Sequence, residues 1–373
     1  MKKINIKIRK KNDDYSLLIG SNLLSILPKK LKAISPKAQN VAIVFDKKIP
    51  NKFKVKTLKA LNKYKKIKIL INPSEKNKNM SSVNKILNLL LKNNFNRNDF
   101  IINVGGGITG DMVAFTASIY KRGINFINVP TTLLAQVDSS IGGKTGVNNQ
   151  FGKNLIGSFY QPQIVLIDTD FLKSLKRKEF LCGYAEILKH AIIYDKKFFS
   201  WLEKNTKKII NFESQSIIAE AISWSCKIKK YFVDKDPNEK NLRKILNFGH
   251  TIAHAIEADS NYSKNINHGE AVLIGILLET QLSYNKKICR IETYKKIENI
   301  YLRNNIFKYL KTKFNFRNLK RIVKFMENDK KNDDNKINFV LLKKIGKTTI
   351  PGEIKFQKNN LIKELSKLRN FYL

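Results

Sequence analysis

Four short apolar runs in the first half, residues 41–45, 67–71, 100–104 and 126–129, constrain the fold more than any other feature. Each has the length of a strand, is too short for a helix, and is apolar enough to be buried on both faces. Helical stretches fall between them, for instance residues 82–93, with Ser81 or Ser82 available as a cap. Such alternation builds a parallel sheet covered by helices on both sides. Residues 4–8 and 15–19 read as an opening strand pair, and 164–168 as a strand that closes the half.

The pattern changes from about Ser174. Residues 183–201, 214–230, 248–259, 269–286 and 290–304 carry apolar positions at helical period. Only 337–342 and 348–355 read as strands, with a hairpin turn at 343–347, and the Asn/Lys/Asp run 328–336 reads as a solvated loop. A chain of 373 residues exceeds what one core usually organises. Two domains are therefore predicted: an α/β domain with a parallel-type nucleotide-binding sheet over 1–173, then a mostly α-helical domain over 174–373. The cleft between them is the expected site.

Apolar residues make up 42% of the chain, enough for real cores, which excludes a disordered protein. No run has transmembrane length or signal-peptide form, so a cytoplasmic protein with no membrane partner is expected. Cys182, Cys226 and Cys289 are widely spaced, with no C-x-x-C, which fits a reducing compartment and argues against a cysteine metal site. The net charge of +41 raises the question of nucleic acid. The lysines, however, are dispersed among Asn and Ile, the residues that A- and T-rich codons specify. Compositional bias accounts for them, and no specific nucleic-acid partner is expected. Salt-sensitive, non-specific binding is expected at low ionic strength.

Two glycine-rich loops follow strands. Ile101-Ile102-Asn103-Val104 runs into Gly105-Gly106-Gly107, with Gly110-Asp111 close behind. Glycines after a strand let backbone N–H groups approach a pyrophosphate, and the following helix N-terminus favours the anion. The spacing is not that of the G-x-G-x-x-G fingerprint. Downstream, Val129-Pro130-Thr131-Thr132 leads to Asp138-Ser139-Ser140 and Gly142-Gly143-Lys144-Thr145, and Lys153-Asn154 adds another cation and amide. Hydroxyls, glycines and lysines suit a phosphate, although Gly-Gly-Lys-Thr lacks the glycine spacing of a P-loop.

The chain has four histidines, and three of them cluster. His250 and His254 stand one helical turn apart on one face, Glu257 follows on much the same face, and His268 opens the next helical run. Histidines beside carboxylates indicate a metal or acid–base centre, and spacing alone selects His250 and His254 as the pair.

At this point the sequence resembles the 3-dehydroquinate synthase family, over about residues 70–350. Besides the glycine loops, the matching blocks are Tyr120-Lys121-Arg122-Gly123, Val129 through Ser140, Gly152-Lys153-Asn154, Gly183-Tyr184-Ala185-Glu186-Ile187-Leu188-Lys189, Asn247-Phe248-Gly249-His250-Thr251 and His268-Gly269-Glu270. So many blocks in order are far more specific than any one motif. The resemblance implies a dehydroquinate synthase-like fold that binds NAD and a divalent metal, usually zinc, with cobalt as an alternative. It implies conversion of 3-deoxy-D-arabino-heptulosonate 7-phosphate, a small anionic sugar phosphate, to 3-dehydroquinate and phosphate in aromatic amino-acid biosynthesis. The implied steps are transient oxidation by NAD, phosphate elimination, re-reduction and internal aldol closure.

By this match Glu186, His250 and His268 are the metal ligands, and His254 faces the substrate. The implied substrate contacts are Asp138, Lys144, Asn154, Lys189, Lys229, Arg243, Asn247 and Lys347. Arg122 is implied to reach the phosphate from a neighbouring subunit, and hence a homodimer. The implied cofactor contacts are Asp46, Glu75, Lys78, Gly105, Gly106, Gly107, Gly110, Asp111, Thr131, Thr132, Lys144 and Lys153. Phe171, Leu172, Lys173 and Ser174 are implied on the nicotinamide side. Two places depart from the family pattern. Pro73-Ser74 precedes Glu75 where relatives carry an acidic residue or Ser, then Gly, and Ser174 stands where Thr is commoner.

Other readings fit less well. A cyclase acting on glucose 6-phosphate, of the 2-deoxy-scyllo-inosose synthase type, would not need the full substrate set including Arg243 and Asn247. A metal-dependent polyol dehydrogenase would not need so many anion contacts. A basic nucleic-acid binder gives no reason for a Glu–His–His set.

Overall fold

Successive side chains of a strand point to opposite faces, so strands apolar at every position need cover on both sides. The computed structural model, which describes residues 1–6, 14–260, 266–313, 319–327 and 336–372, meets that need in its first unit. The elements in chain order are β1 (Lys2–Ile6), β2 (Tyr15–Gly20), α1 (Leu27–Ile34), β3 (Asn40–Asp46), α2 (Asn51–Ala60), β4 (Lys65–Ile71) and α3 (Met80–Lys92). There follow β5 (Phe100–Gly105), α4 (Gly107–Ile119), β6 (Asn125–Pro130), β7 (Lys144–Asn149), β8 (Gly152–Phe159) and β9 (Ile164–Asp168). Seven strands form one sheet in the order β1-β2-β9-β6-β5-β3-β4, parallel throughout except for β1 against β2. Val41, Ile43, Phe45, Phe100 and Ile102 bury on one face with Leu27 and Leu31 of α1. Ala42, Val44 and Ile101 bury on the other, with Met112 and Val113 of α4 and Val83 and Ile86 of α3.

The order of the strands locates a site. Helix α2 carries the chain from β3 outward to β4, whereas α4 carries it from β5 the other way, to β6. Adjacent strands whose connections diverge leave a crevice at their carboxyl ends, where open α/β sheets bind nucleotides. Asp46 ends β3 and Gly105 ends β5.

Helices α5 (Arg177–Tyr194), α6 (Lys196–Ile210) and α7 (Gln215–Lys235) come next. The chain forms two compact units, Met1–Phe180 with Gln215–Asn238, and Leu181–Ser214 with Glu239–Leu373. A single cut after residue 173 was expected. The chain instead returns to the first unit for α7, which packs against β1 and β2, and Cys226 Sγ lies 3.4 Å from the Gln136 carbonyl.

The second unit continues with α8 (His250–Asp259), α9 (His268–Asn285), α10 (Ile291–Arg303), α11 (Ile306–Lys311) and α12 (Leu319–Glu327). Short strands β10 (Ile337–Phe339), β11 (Leu342–Lys344), β12 (Lys347–Thr348) and β13 (Ile354–Phe356) and helix α13 (Lys358–Tyr372) complete it. Helix α9 is buried from Gly269 to Ser283 with no exposed face, so it forms the centre of this unit.

Several local readings change. The helix predicted over 183–201 divides at Asp195, whose carboxylate accepts the Lys197 and Phe198 N–H groups and starts a new helix. The cap of α3 is Asn79, which accepts from the Ser82 N–H at 3.0 Å, and neither Ser81 nor Ser82 fills that role. Each predicted late strand also divides, so that β10 pairs with β13 and β11 with β12 around the expected turn. Lys7 and Ile8 of the first predicted strand lie outside the described residues, as do 328–335 of the predicted loop. Among the described residues no helix is long and apolar enough to cross a membrane.

Candidate active site

In the second unit, Glu186 on α5 meets the first residues of α8 and α9. Glu186 Oε1 is 3.4 Å from His250 Nε2 and 3.7 Å from His268 Nε2. Donor atoms of the three residues all lie within 4.8 Å of one another. Glu186 is fully buried, and neither of its oxygens accepts a hydrogen bond of good geometry. They face the Lys189 ammonium and the two imidazoles. Two ring nitrogens and a buried carboxylate converging in this way fit a divalent ion of the zinc type, with further positions open to substrate. The pair selected by spacing alone, His250 with His254, is not the convergent set: the His254 ring stands beside the cluster, 5.4 Å from His250 and 6.5 Å from His268.

Burial works against ionisation of Glu186, but Lys189 first, then His268 and His190, hold its carboxyl below the ordinary range. Burial likewise opposes protonation of His268, but Glu257 and Glu186 outweigh it and raise that imidazole to about 10. Without a metal, the centre is therefore a carboxylate paired with a protonated histidine at neutral pH.

Local sequence explains the placement. Asn267 caps α9 with a full capping box, accepting from the Glu270 N–H at 2.9 Å while Glu270 accepts from the Asn267 N–H at 2.7 Å. That fixes His268 as the first helical residue. Helix α8 starts at Gly249 (φ 81°), which has no side chain to cap it. Glu279, fully buried on α9, takes over the capping, accepting the Gly249 N–H at 2.6 Å and the Ile252 N–H at 3.4 Å. Sequence reasoning missed Glu279, although a lone carboxylate in the apolar run 271–278 and just beyond is a signal. It placed Glu257 beside the histidines without a partner; its Oε2 lies 3.0 Å from His268 Nδ1.

The remaining substrate residues expected in this unit differ in exposure. Lys189 is buried next to Glu186, and Arg243 is buried on the short helix Leu242–Asn247, which also carries Asn247. Asn247 Nδ2 lies 3.5 Å from Glu239 Oε1. Lys347 is exposed on β12.

The first unit gathers the expected cofactor residues at the carboxyl end of its sheet. Gly106 caps α4, and a Cβ on Gly107 would stand 2.8 Å from Ser139 Oγ, so the missing side chain lets Ser139 pack against the start of the helix. The Thr131 N–H donates to the Gly105 carbonyl at 3.0 Å, the Thr132 hydroxyl accepts the Ala135 N–H at 3.2 Å, and Gly110 is buried in α4. Lys78, only 4% exposed, ties α4 to β8: its ammonium donates to Asp111 Oδ2 and to Asn154 Oδ1, each at 2.5 Å. Burial raises the Asp111 carboxyl, with Lys78 opposing. Glu75 accepts from Asn148 Nδ2 at 2.8 Å and lies 3.5 Å from Lys153 Nζ. Burial also raises Asp46, opposed by the Lys48 N–H that it accepts at 2.7 Å.

Lys229, which reads equally well as a surface lysine, is 6% exposed and donates to the Asp138 carbonyl at 2.6 Å and to its carboxylate. Lys144 is exposed at the start of β7, a hairpin strand that sequence reasoning did not foresee. Arg122 is exposed in a turn with φ 65°. Phe171 packs in the sheet's core, its ring centroid 4.4 Å from that of Phe53, and Leu172 is buried, so neither side chain is placed to face a ligand. Lys173 pairs with Asp170 at 2.7 Å, and the Ser174 hydroxyl donates to the Phe171 carbonyl at 2.9 Å.

An α/β unit with a nucleotide-type crevice, joined in one chain to a helical unit with a Glu–His–His cluster, defines a class of NAD- and metal-binding enzyme. Residues 68–182 match the 3-dehydroquinate synthase N-terminal family and residues 183–332 the 3-dehydroquinate synthase C-terminal family. The chain is 49% identical to a 3-dehydroquinate synthase of Pelagibacter ubique (strain HTCC1062), over 98% of this chain and 99% of that one. It is 39% identical to that of Alkaliphilus metalliredigens (strain QYMF), over 88% and 90%. The chain belongs to the 3-dehydroquinate synthase family and is an enzyme of the lyase class.

Solved structures agree on the fold. A 2-deoxy-scyllo-inosose synthase complexed with carbaglucose-6-phosphate, NAD+ and Co2+ is 22% identical with a TM-score of 0.88, covering 98% of this chain and 100% of that one. ValA, a 2-epi-5-epi-valiolone synthase from Streptomyces hygroscopicus subsp. jinggangensis 5008 with NAD+ and Zn2+ bound, is 22% identical with a TM-score of 0.85, covering 98% and 99%. A probable glycerol dehydrogenase from Sinorhizobium meliloti 1021 is more distant, at 10% identity and a TM-score of 0.64 over 95% and 96%.

Proposed function

We propose that the chain carries out its family's own reaction, converting 3-deoxy-D-arabino-heptulosonate 7-phosphate to 3-dehydroquinate and phosphate. The observation that carries this reading is the convergence of Glu186, His250 and His268 beside the buried Lys189. Glu186, His250 and His268 hold a divalent metal, zinc in preference to cobalt. When bound, the metal supplies Lewis acidity at a substrate hydroxyl and NAD takes up and returns a hydride. Homologous folds holding NAD+ with Co2+ or Zn2+ support both assignments.

The protein's own contribution is to hold an anion still while charge builds on its oxygens. Lys189, Arg243 and Asn247 bind and orient the substrate in the second unit, with Lys347 as an exposed cation and His254 holding or passing a proton at its imidazole. Asp138, Lys144, Asn154 and Lys229 are the further substrate contacts that the family resemblance implies. Asp46 and Glu75 accept ribose hydroxyls and repel a 2′-phosphate, which favours NAD over NADP. The Gly105-Gly106-Gly107 turn and the start of α4 take the pyrophosphate with Thr131, Thr132, Asp111, Lys78 and Lys153 around it. The backbone of 171–174 closes the nicotinamide side. The protein works as a cytoplasmic homodimer in which the exposed Arg122 of one protomer reaches the phosphate bound by the other.

The test is product identification. Purified protein with NAD and zinc is offered the heptulosonate phosphate and, separately, glucose 6-phosphate. The reading requires a carbocyclic product from the first alone, and inosose formed from the second would replace it with the related cyclase activity.

A further inference from the structure

Helix α8 presents His250, His254 and Glu257 along one side, one turn apart, and the last of these reaches across to α9. Glu257 Oε2 is 3.0 Å from His268 Nδ1, while Nε2 on the far edge of the same ring lies 3.7 Å from Glu186 Oε1. A neutral imidazole carries its proton on one nitrogen only. A carboxylate at Nδ1 keeps the proton there, so Nε2, on the side of Glu186, is the nitrogen that gives up its proton to ligate a metal. His250 is oriented in the same sense, with Nδ1 3.3 Å from the Phe248 carbonyl. The two histidines differ in support: His250 has a neutral carbonyl and is 13% exposed, whereas His268 is 30% exposed and is met by a charged acceptor. The more exposed ring is the one held by a carboxylate.

We infer that Glu257 is a positioning residue of the metal centre, fixing the tautomer and ring orientation of His268 through its Nδ1–H. This rests on Glu186, His250 and His268 being the metal ligands. Glu257 acts on the metal only through His268. Its charge strengthens His268 as a donor and its hydrogen bond sets the direction of Nε2, two effects that substitutions can separate. Glu257→Gln keeps the shape and an acceptor oxygen but removes the charge. Glu257→Ala removes both.

The experiment strips metal from the full-length protein, the two Glu257 variants and His268→Ala. It then measures Zn2+ affinity by competition with a chromophoric chelator, and the visible absorption of the Co2+ forms. Circular dichroism verifies folding, and the near-isosteric Glu257→Gln keeps the test alive if Glu257→Ala does not fold. The expected result is Zn2+ affinity ~10–100-fold weaker than the parent, more so for Ala than for Gln, with a shifted Co2+ spectrum in the Gln variant. Parent-like affinity and spectrum in both folded variants, while His268→Ala loses the metal, would overturn the role of Glu257 and leave the ligand set standing. Parent-like Zn2+ binding in His268→Ala would remove the ligand set and this inference with it.

Discussion

Gly269 of α9 lies directly against Cys182 of α5: a Cβ on residue 269 would stand 2.3 Å from the Cys182 Cα. The missing side chain lets the start of α9 touch α5, and that contact brings His268 to Glu186. Gly269→Ala should therefore destabilise the protein by roughly 1–3 kcal/mol, as overpacking does, and weaken metal binding as well. Urea melts with a metal titration check both effects. Parent-like values for both would mean that the two helices do not need this close approach.

Proton release should accompany metal binding. The His268 imidazole rises from an ordinary 6.5 to about 10 in the metal-free protein. A raised pKa stabilises the protonated folded state, so its contribution is full below about 6.5 and is lost as pH rises through about 10. At about pH 8 metal-free His268 still carries the proton that a ligating Nε2 must give up, so roughly one proton should leave for each Zn2+ bound. Calorimetry in two buffers of different ionisation enthalpy counts it. Equal heats in both buffers would contradict a protonated His268.

Lys78 is a buried tie between α4 and β8, and Lys78→Met leaves Asp111 without its ammonium partner. Breaking a buried pair from one side typically costs about 3 kcal/mol. A denaturation midpoint lowered accordingly, together with weaker NAD binding in a fluorescence titration, is expected. A loss of stability with parent-like NAD affinity would confine Lys78 to structure.

The chain carries 71 Lys and Arg against 30 Asp and Glu, so its folded state repels itself. Raising salt from about 20 to about 300 mM shortens the Debye length to within surface charge spacings and should raise the melting temperature. An unchanged or lower melting temperature would show that ion pairs such as Arg321–Asp259, at 2.5 Å, outweigh the repulsion.

The sheet was legible because runs such as 41–45 are apolar on both faces, rich in β-branched residues and too short for a helix. Helix α2 was legible only as an unbounded helical stretch between two strands, because its lysine-rich sequence leaves Phe53 as its one buried large apolar side chain. The metal set divides in the same way. Spacing on α8 gave His250 with His254, since one helix is all that local periodicity describes. Selecting Glu186 and His268 needed the family resemblance, and the physical reason lies in Gly269 and the Asn267 cap, which bring three helices together. Glu279 escaped because its partners are backbone N–H groups of another helix, which no side-chain pattern encodes.

The most direct test of the whole account is phosphate release from 3-deoxy-D-arabino-heptulosonate 7-phosphate with NAD well below the substrate concentration, with and without chelator. Many turnovers per NAD, lost on chelation and restored by zinc, are predicted, because the cofactor is regenerated within each cycle. Phosphate release that stops at one equivalent per NAD, or that survives complete metal removal, would contradict it.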